Sequence, residues 1–373
     1  MGRGRNLLVS GFILARPLRI NLDALHYVIT ALQPGPRWGI VAWGLAWEKV
    51  LGISLTWEEG PSQTRQPPPR RARTAGPSLE NQVELFGIFW CRGARCSPDC
   101  ASMGAPKLIV DQFKAPRSAY RATKNTIVLC HGLMGFDTID LPTGNKFSYF
   151  RGVKQALEKH GARVFACSVP PMATIELRAQ SLHKSLLKLG ATHDSTPAIN
   201  IIAHSMGGLD ARLLISALHK PTDKPHIASL TTLSTPHRGS PVANLFRGIT
   251  RFFPPSYGAF SELTTTYTTN VFNKRATDSP DVRYFSYGAR FTPTILSPFY
   301  LTGKYIQEKE GDNDGMVSVK SAMWGEYLGT LEDVDHADII NMSTFKPRKY
   351  LNVNYSSPAM YLQIMDDLAK QGF

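Results

Sequence analysis

Beyond about Ala105, short unbroken apolar blocks alternate with longer stretches in which apolar residues recur every three or four positions. The blocks are Asn125–Cys130, Ala162–Val169, Ile199–His204, Ile227–Leu233 and Val282–Tyr287. Runs this short and rich in branched residues read as strands buried on both faces. Between them, Phe147–His160, Thr174–Leu189 and the stretch from Gly207 to about Lys220 carry the helical period. In the last of these, Leu209, Leu213, Leu214 and Leu218 share a face. Regular alternation of strand and helix predicts a mostly parallel sheet covered by helices on both sides. In such a fold, sites are built from loops at the carboxyl ends of the strands. Residues 105–373 suffice for one domain, since ~270 residues bury about three quarters of the surface the unfolded chain exposes. No internal repeat is visible.

Residues 1–104 follow a different pattern. Residues 1–47 hold five arginines and a single acid, Asp23, and Arg5, Arg16 and Arg19 would share a helical face. That pattern favours a mitochondrial transit segment. Pro17 and a low serine content stand against it; the rival is a short secretory signal with Asn6–Ala15 as its apolar core, which lacks a small-x-small cleavage site. Trp38–Trp57 is long enough to span a bilayer, but Glu48 and Lys49 stand at its middle, which favours an interfacial segment. The Pro/Arg-rich stretch Gly60–Ser78 reads as a disordered linker. The whole of 1–104 is therefore expected to be a targeting and interfacial region, largely disordered.

Charge and cysteine content narrow the function classes. The net charge of +13 is spread along the chain, and no nucleic-acid motif accompanies it. A basic surface facing anionic lipid is the simpler expectation. The cysteines Cys91, Cys96, Cys100, Cys130 and Cys167 are too few and too unevenly placed for a disulfide scaffold. The first three lack a fourth zinc ligand. Cys130 and Cys167 end predicted strands and read as small buried hydrophobes.

The chemistry concentrates where the Ile199–His204 strand stops. Ala203-His204-Ser205-Met206-Gly207-Gly208 places a serine between strand and helix with small residues two before and two after. A sharp turn there exposes the hydroxyl but crowds the backbone, so only small neighbours fit. The bland alternative for Ser205 is a helix N-cap. His131-Gly132-Leu133-Met134-Gly135 follows the first predicted strand. Its glycines suit a loop that supplies a backbone N–H to an oxyanion, and Leu133 and Met206 are the expected donors. His131 reads as an orienting group for that loop.

An acid should follow the serine and a histidine should follow the acid. Gly311-Asp312-Asn313-Asp314-Gly315 offers two acids, of which Asp314 is preferred. A calcium-binding loop is the competing reading, but Ser321 stands where its closing glutamate belongs. His336, in Asp335-His336-Ala337-Asp338, is the expected base. Residues 240–273 lack strand alternation and hold Phe246, Phe252, Phe253, Tyr257 and Phe260 around Pro254-Pro255. They form either a packed helical cap or a mobile lid with an apolar inner face.

Taken together, His131–Ile139, Ala203–Asp210, Thr235-Pro236-His237-Arg238-Gly239-Ser240, Asn313-Asp314-Gly315 and Asp335–Asp338 resemble, in order, the motifs of triacylglycerol lipases. The likeness extends to fungal mitochondrial and Pseudomonas/Burkholderia-type bacterial members. The resemblance implies an α/β-hydrolase fold, hydrolysis of long-chain acylglycerols at a lipid surface, and a triad of Ser205, Asp314 and His336. The bacterial members hold a structural calcium between two aspartates. Asp338 matches one, and no aspartate between Asp281 and Asp312 matches the other, so neither metal nor cofactor is expected. Phospholipase, lysophospholipase and thioesterase activities use the same machinery. A membrane-associated scaffold that has lost turnover is the alternative of a different class. The sequence leaves oligomeric state open.

Overall fold

The computed structural model describes residues 107–373 apart from 136–137, 141–145, 193–197, 246–256, 295–296 and 343–353. The expected targeting region, its apolar segment and its linker lie outside the described residues, as do Phe246, Phe252, Phe253 and the proline pair. Among the described residues no helix is long and apolar enough to cross a membrane.

In chain order the strands are β1 (Leu108–Ile109), β2 (Thr126–Cys130), β3 (Thr138–Asp140), β4 (Lys146–Ser148), β5 (Val164–Cys167), β6 (Ala198–His204), β7 (His226–Leu233), β8 (Arg283–Ala289) and β9 (Glu326–Leu331). The main helices are α1 (Val153–Lys159), α2 (Ile175–Thr192), α3 (Gly207–Leu213), α4 (Tyr300–Glu310) and α5 (Ser357–Lys370). Seven strands form one sheet in the order β1-β9-β8-β7-β6-β2-β5, while β3 and β4 make a separate antiparallel hairpin. Every pairing within the seven-stranded sheet is parallel.

Why the strands read as solid apolar blocks is evident from their two faces. On β2, Ile127 and Leu129 point to one side, where Val153 and Leu157 of α1 and Met360, Tyr361 and Leu368 of α5 cover them. Val128 and Cys130 point to the other, against Leu182 and Leu186 of α2 and Leu209 and Leu213 of α3. Each face buries several large side chains at ~1.5–3 kcal/mol apiece, which fixes strand register without need of polar alternation.

The predicted helix Phe147–His160 starts late. Phe147 belongs to β4, and Gly152, at φ 73°, occupies a left-handed position just before α1. A β-carbon disfavours that backbone, so glycine sets the boundary. The hairpin strands β3 and β4, the outer strands β1 and β9, and the helices α4 and α5 escaped the pattern.

Winding direction defines the crevice. The chain runs outward from β2 to β5, then crosses back to β6 on the other side of β2 and continues through β7, β8 and β9. The carboxyl ends of β2 and β6 thus flank the point where the strand order reverses, where α/β sheets bind ligands.

Candidate active site

Ser205 sits at that point, on the first residue after β6. Its φ is 54°, a left-handed conformation that costs an ordinary residue about 1–2 kcal/mol. The turn is held from both sides: the Ser205 N–H donates to Leu233 O at 2.9 Å, and Ser205 O accepts from Thr235 Oγ1 at 2.8 Å and from Gly208 N–H at 3.1 Å. It also demands small neighbours. A β-carbon on Gly207 would lie 2.6 Å from His131 O and 2.8 Å from Cys130 O. Ala203, two residues before Ser205, is fully buried.

The loop after β2 packs against the elbow. A β-carbon on Gly132 would approach Ser205 Cβ to 2.7 Å, so the loop backbone lies directly alongside the serine. Met134, at φ 55°, donates its N–H to Pro171 O at 2.8 Å. Among the described hydrogen bonds, none is donated by the N–H of Leu133 or Met206, which leaves both available to an incoming oxygen.

His336 and Asp314 complete a hydrogen-bonded line. The Ser205 hydroxyl meets His336 Nε2 at 3.0 Å, and His336 Nδ1 meets Asp314 Oδ2 at 2.7 Å. Asp314 is fully buried, and its other oxygen accepts the N–H groups of Met316 and Val317 at 2.9 and 2.8 Å. An acceptor so engaged fixes the imidazole with Nδ1 protonated and Nε2 facing the serine. Phe299 stands edge-on to the His336 ring with centroids 6.4 Å apart, and it presses on Gly315, whose φ is 98°.

The neighbouring acids serve elsewhere. Asp312 pairs with Arg290 at 2.6 Å, and Glu310 accepts the Ser318 hydroxyl. Asp338 Oδ2 accepts the Asp335 N–H at 3.1 Å.

Four supporting residues carried no sequence signal of the contacts they make. Arg178, fully buried on α2, pairs with Asp210 of α3 at 2.7 Å. It also donates to the carbonyls of His131 and Gly132 at 2.9 and 3.2 Å, clamping the loop to the helix that follows the elbow. Burial outweighs Arg178 and raises the Asp210 carboxyl to about 6. Tyr149 accepts the Gly132 N–H at 3.1 Å and meets His204 Nδ1 at 2.9 Å. The His204 ring in turn lies 4.5 Å from that of His336.

His131 takes the orienting place expected of it: its Nδ1 lies 2.9 Å from Gly132 O, and its Nε2 accepts the Val169 N–H at 3.1 Å. Burial, aided by Arg178, lowers its pKa to about 3. The Thr235–Ser240 segment braces the acid loop. His237 stacks on Trp324, and Ser240 Oγ donates to Met316 O at 2.6 Å.

Residues 257–276 are largely helical and tied to the body. Ala259 N–H donates to Met172 O, Glu262 accepts the Ile175 N–H, and Asn273 donates to His237 O. Leu263 and Phe272 are buried in the same cluster as α2 and α3.

A serine held at a strained strand–helix turn, backed by histidine and a buried aspartate on a parallel sheet, places the protein among the α/β-hydrolases. Known structures agree on the fold. The Staphylococcus hyicus lipase superposes with a TM-score of 0.54 at 19% identity, covering 69% of this chain and 98% of its own. A metagenomic carboxyl esterase does so with 0.55 at 21%, covering 68% and 78%. Residues 177–290 match the PGAP1-like alpha/beta domain. Sequence similarity narrows the assignment. Triacylglycerol lipase 2 of Saccharomyces cerevisiae is 36% identical over 327 residues, 72% of this chain and 98% of the yeast protein. A triacylglycerol lipase of Pseudomonas fragi is 27% identical over 283 residues, 62% of this chain and 92% of the relative. The chain belongs to the triacylglycerol lipase family.

Proposed function

We propose that the protein hydrolyses fatty-acyl esters of lipids, triacylglycerol foremost, with Ser205 as nucleophile. The observation that carries this reading is the Asp314–His336–Ser205 line at the rim of the sheet. His336 Nε2 takes the hydroxyl proton as Ser205 Oγ bonds to the ester carbonyl carbon. The oxyanion receives the N–H groups of Leu133 and Met206. His336 then returns the proton to the departing alcohol oxygen as the ester C–O bond breaks, leaving an acyl-serine. A water molecule repeats the sequence, releasing the fatty acid and restoring Ser205. Asp314 holds the imidazole's orientation and stabilises its charge.

The basic, acid-poor residues 1–47 support action at a mitochondrial membrane, with a lipid surface presenting the substrate. A fluorophosphonate probe tests the nucleophile, with labelling expected of the native chain and lost in Ser205→Ala. Fatty-acid release from triolein emulsion, phosphatidylcholine and p-nitrophenyl butyrate then orders the substrates, with triolein expected first. A folded chain that does not label would instead be a scaffold. Preference for phosphatidylcholine would make it a phospholipase.

A further inference from the structure

The helix α3 that follows the elbow does not end as an ordinary helix. Leu214–Leu218 widens into a π-helical turn, a local departure that often marks a functional position. The turn delivers His219 beside His183 of α2, their rings edge to face with centroids 5.6 Å apart. The following tight turn brings back Asp223, whose carboxylate accepts the Lys220 N–H at 2.9 Å. Asp223 Oδ2 lies 3.3 Å from His183 Nε2 and 4.0 Å from His219 Nδ1. One ligand atom from each of the three residues falls within 4.8 Å of the others.

Two features set this cluster apart from an ordinary histidine–aspartate contact. The His219 side chain is only 8% exposed, yet neither ring nitrogen makes a well-formed hydrogen bond: Asp223 stands 4.0 Å from Nδ1, and the Pro225 backbone is the other polar neighbour. Most buried polar atoms are paired, and among the described residues without full pairing His219 is the one side chain open at two such atoms. The spacing also matches a metal polyhedron. Ligand bonds of ~2.0–2.1 Å at tetrahedral angles put donor atoms about 3.3 Å apart. The carboxylate already stands at that distance from His183, and His219 must move in from 4.0 Å of Asp223, with all three ligand atoms already within 4.8 Å of one another.

We propose that His183, His219 and Asp223 bind a divalent transition-metal ion of the zinc class, with water in the fourth position. Two imidazoles and one carboxylate suit zinc, whereas calcium and magnesium prefer oxygen donors throughout. His183 and Asp223 are 20% and 22% exposed, which gives the ion a route in and the fourth ligand a route to solvent. The ion would tie α2 to the connection between α3 and β7, on helices that also carry Arg178 and Asp210. It takes no part in ester hydrolysis.

The test uses the full chain, stripped with chelator and titrated with zinc ion against a chromophoric competitor. One zinc per chain is expected, with a rise in unfolding temperature. His219→Ala and Asp223→Asn should each weaken binding at least ~100-fold, since loss of a direct ligand exceeds the 10–100-fold effect of outer-shell partners. His183→Gln, at the more exposed position, serves as the variant least able to disturb folding. Stoichiometric binding unchanged in His183→Gln and Asp223→Asn, or no binding to the native chain at micromolar zinc, would overturn the proposal. Neither result depends on whether Ser205 is the nucleophile.

Discussion

Asp314 holds His336 at two points: its carboxylate meets the ring Nδ1 at 2.7 Å, and its backbone carbonyl accepts the His336 N–H at 2.9 Å. The second bond fixes the histidine's backbone where the first fixes its ring. Asp314→Asn keeps the backbone bond and replaces an obligate acceptor with an amide that can favour the wrong tautomer. We expect kcat to fall about 10⁴-fold with little change in KM. Asp312→Asn removes only an exposed pair with Arg290 and should cost about 0–1 kcal/mol of stability with kcat nearly intact. Steady-state kinetics of the two variants check the assignment, and a crippled Asp312→Asn beside a mild Asp314→Asn would reverse it.

Gly132→Ala tests the closeness of loop and elbow. The new methyl group would stand 2.7 Å from Ser205 Cβ, against backbone-anchored atoms that have no flexible end to move. A shift of about 1 Å in the oxyanion loop is expected to lower kcat/KM about 10²-fold. Circular dichroism should show the fold retained. Full activity in this variant would mean that the loop does not abut the serine during turnover.

Removing the buried clamp should be costly for stability. Arg178→Met leaves Asp210 without its cation and two loop carbonyls without their donor, which predicts a loss of about 3–5 kcal/mol in urea unfolding. Arg178→Met combined with Asp210→Leu should recover part of that loss, because no lone buried acid remains. A double variant no more stable than the single would contradict this account.

Acid should destabilise the native state steeply. His131, His204 and His237 are buried and neutral; burial lowers the first to about 3 and the others well below the ordinary value. As pH falls below ~6.5 the unfolded chain takes up protons that these three refuse, so unfolding becomes easier over that whole interval. Well below pH 6.5 each contributes a slope of about 1.4 kcal/mol per pH unit. Urea midpoints measured between pH 7 and 4.5 should fall accordingly, and His131→Gln should flatten the dependence. A pH-independent midpoint across that range would show these rings to be accessible.

What the sequence revealed about the site was local. Ser205 announces itself because strand, small residues and helix are contiguous, and Gly132 because the loop follows its strand directly. Asp314 and His336 were legible from chain order and neighbouring motifs, and the structure brings both to the serine. Arg178 and Tyr149 gave no warning, and the Ala203–Asp210 motif did not reveal what His204 and Asp210 would touch. Arg178 reaches His131 O across 47 residues and Tyr149 reaches His204 across 55, so only the folded sheet makes them neighbours. The strands of the sheet centre were readable because burial on both faces leaves unbroken apolar runs. Strand β9, Glu326–Leu331, carries Gly329 at φ 149° and mixes polar with apolar residues, so periodicity passed over it. The start of α1 was misplaced because the helical period continued backwards into Phe147, which belongs to strand β4 of the short hairpin.

The two rings at the serine also limit where charge can go. His204 lies 4.5 Å from His336, centroid to centroid, and its burial together with that neighbour keeps it unprotonated. In the proposed reaction His336 accepts the serine proton, and a second cation at 204 would repel it and raise the energy of the tetrahedral stage. A permanently uncharged neighbour removes that conflict. An added charge at 204 would therefore act on the rate without touching substrate.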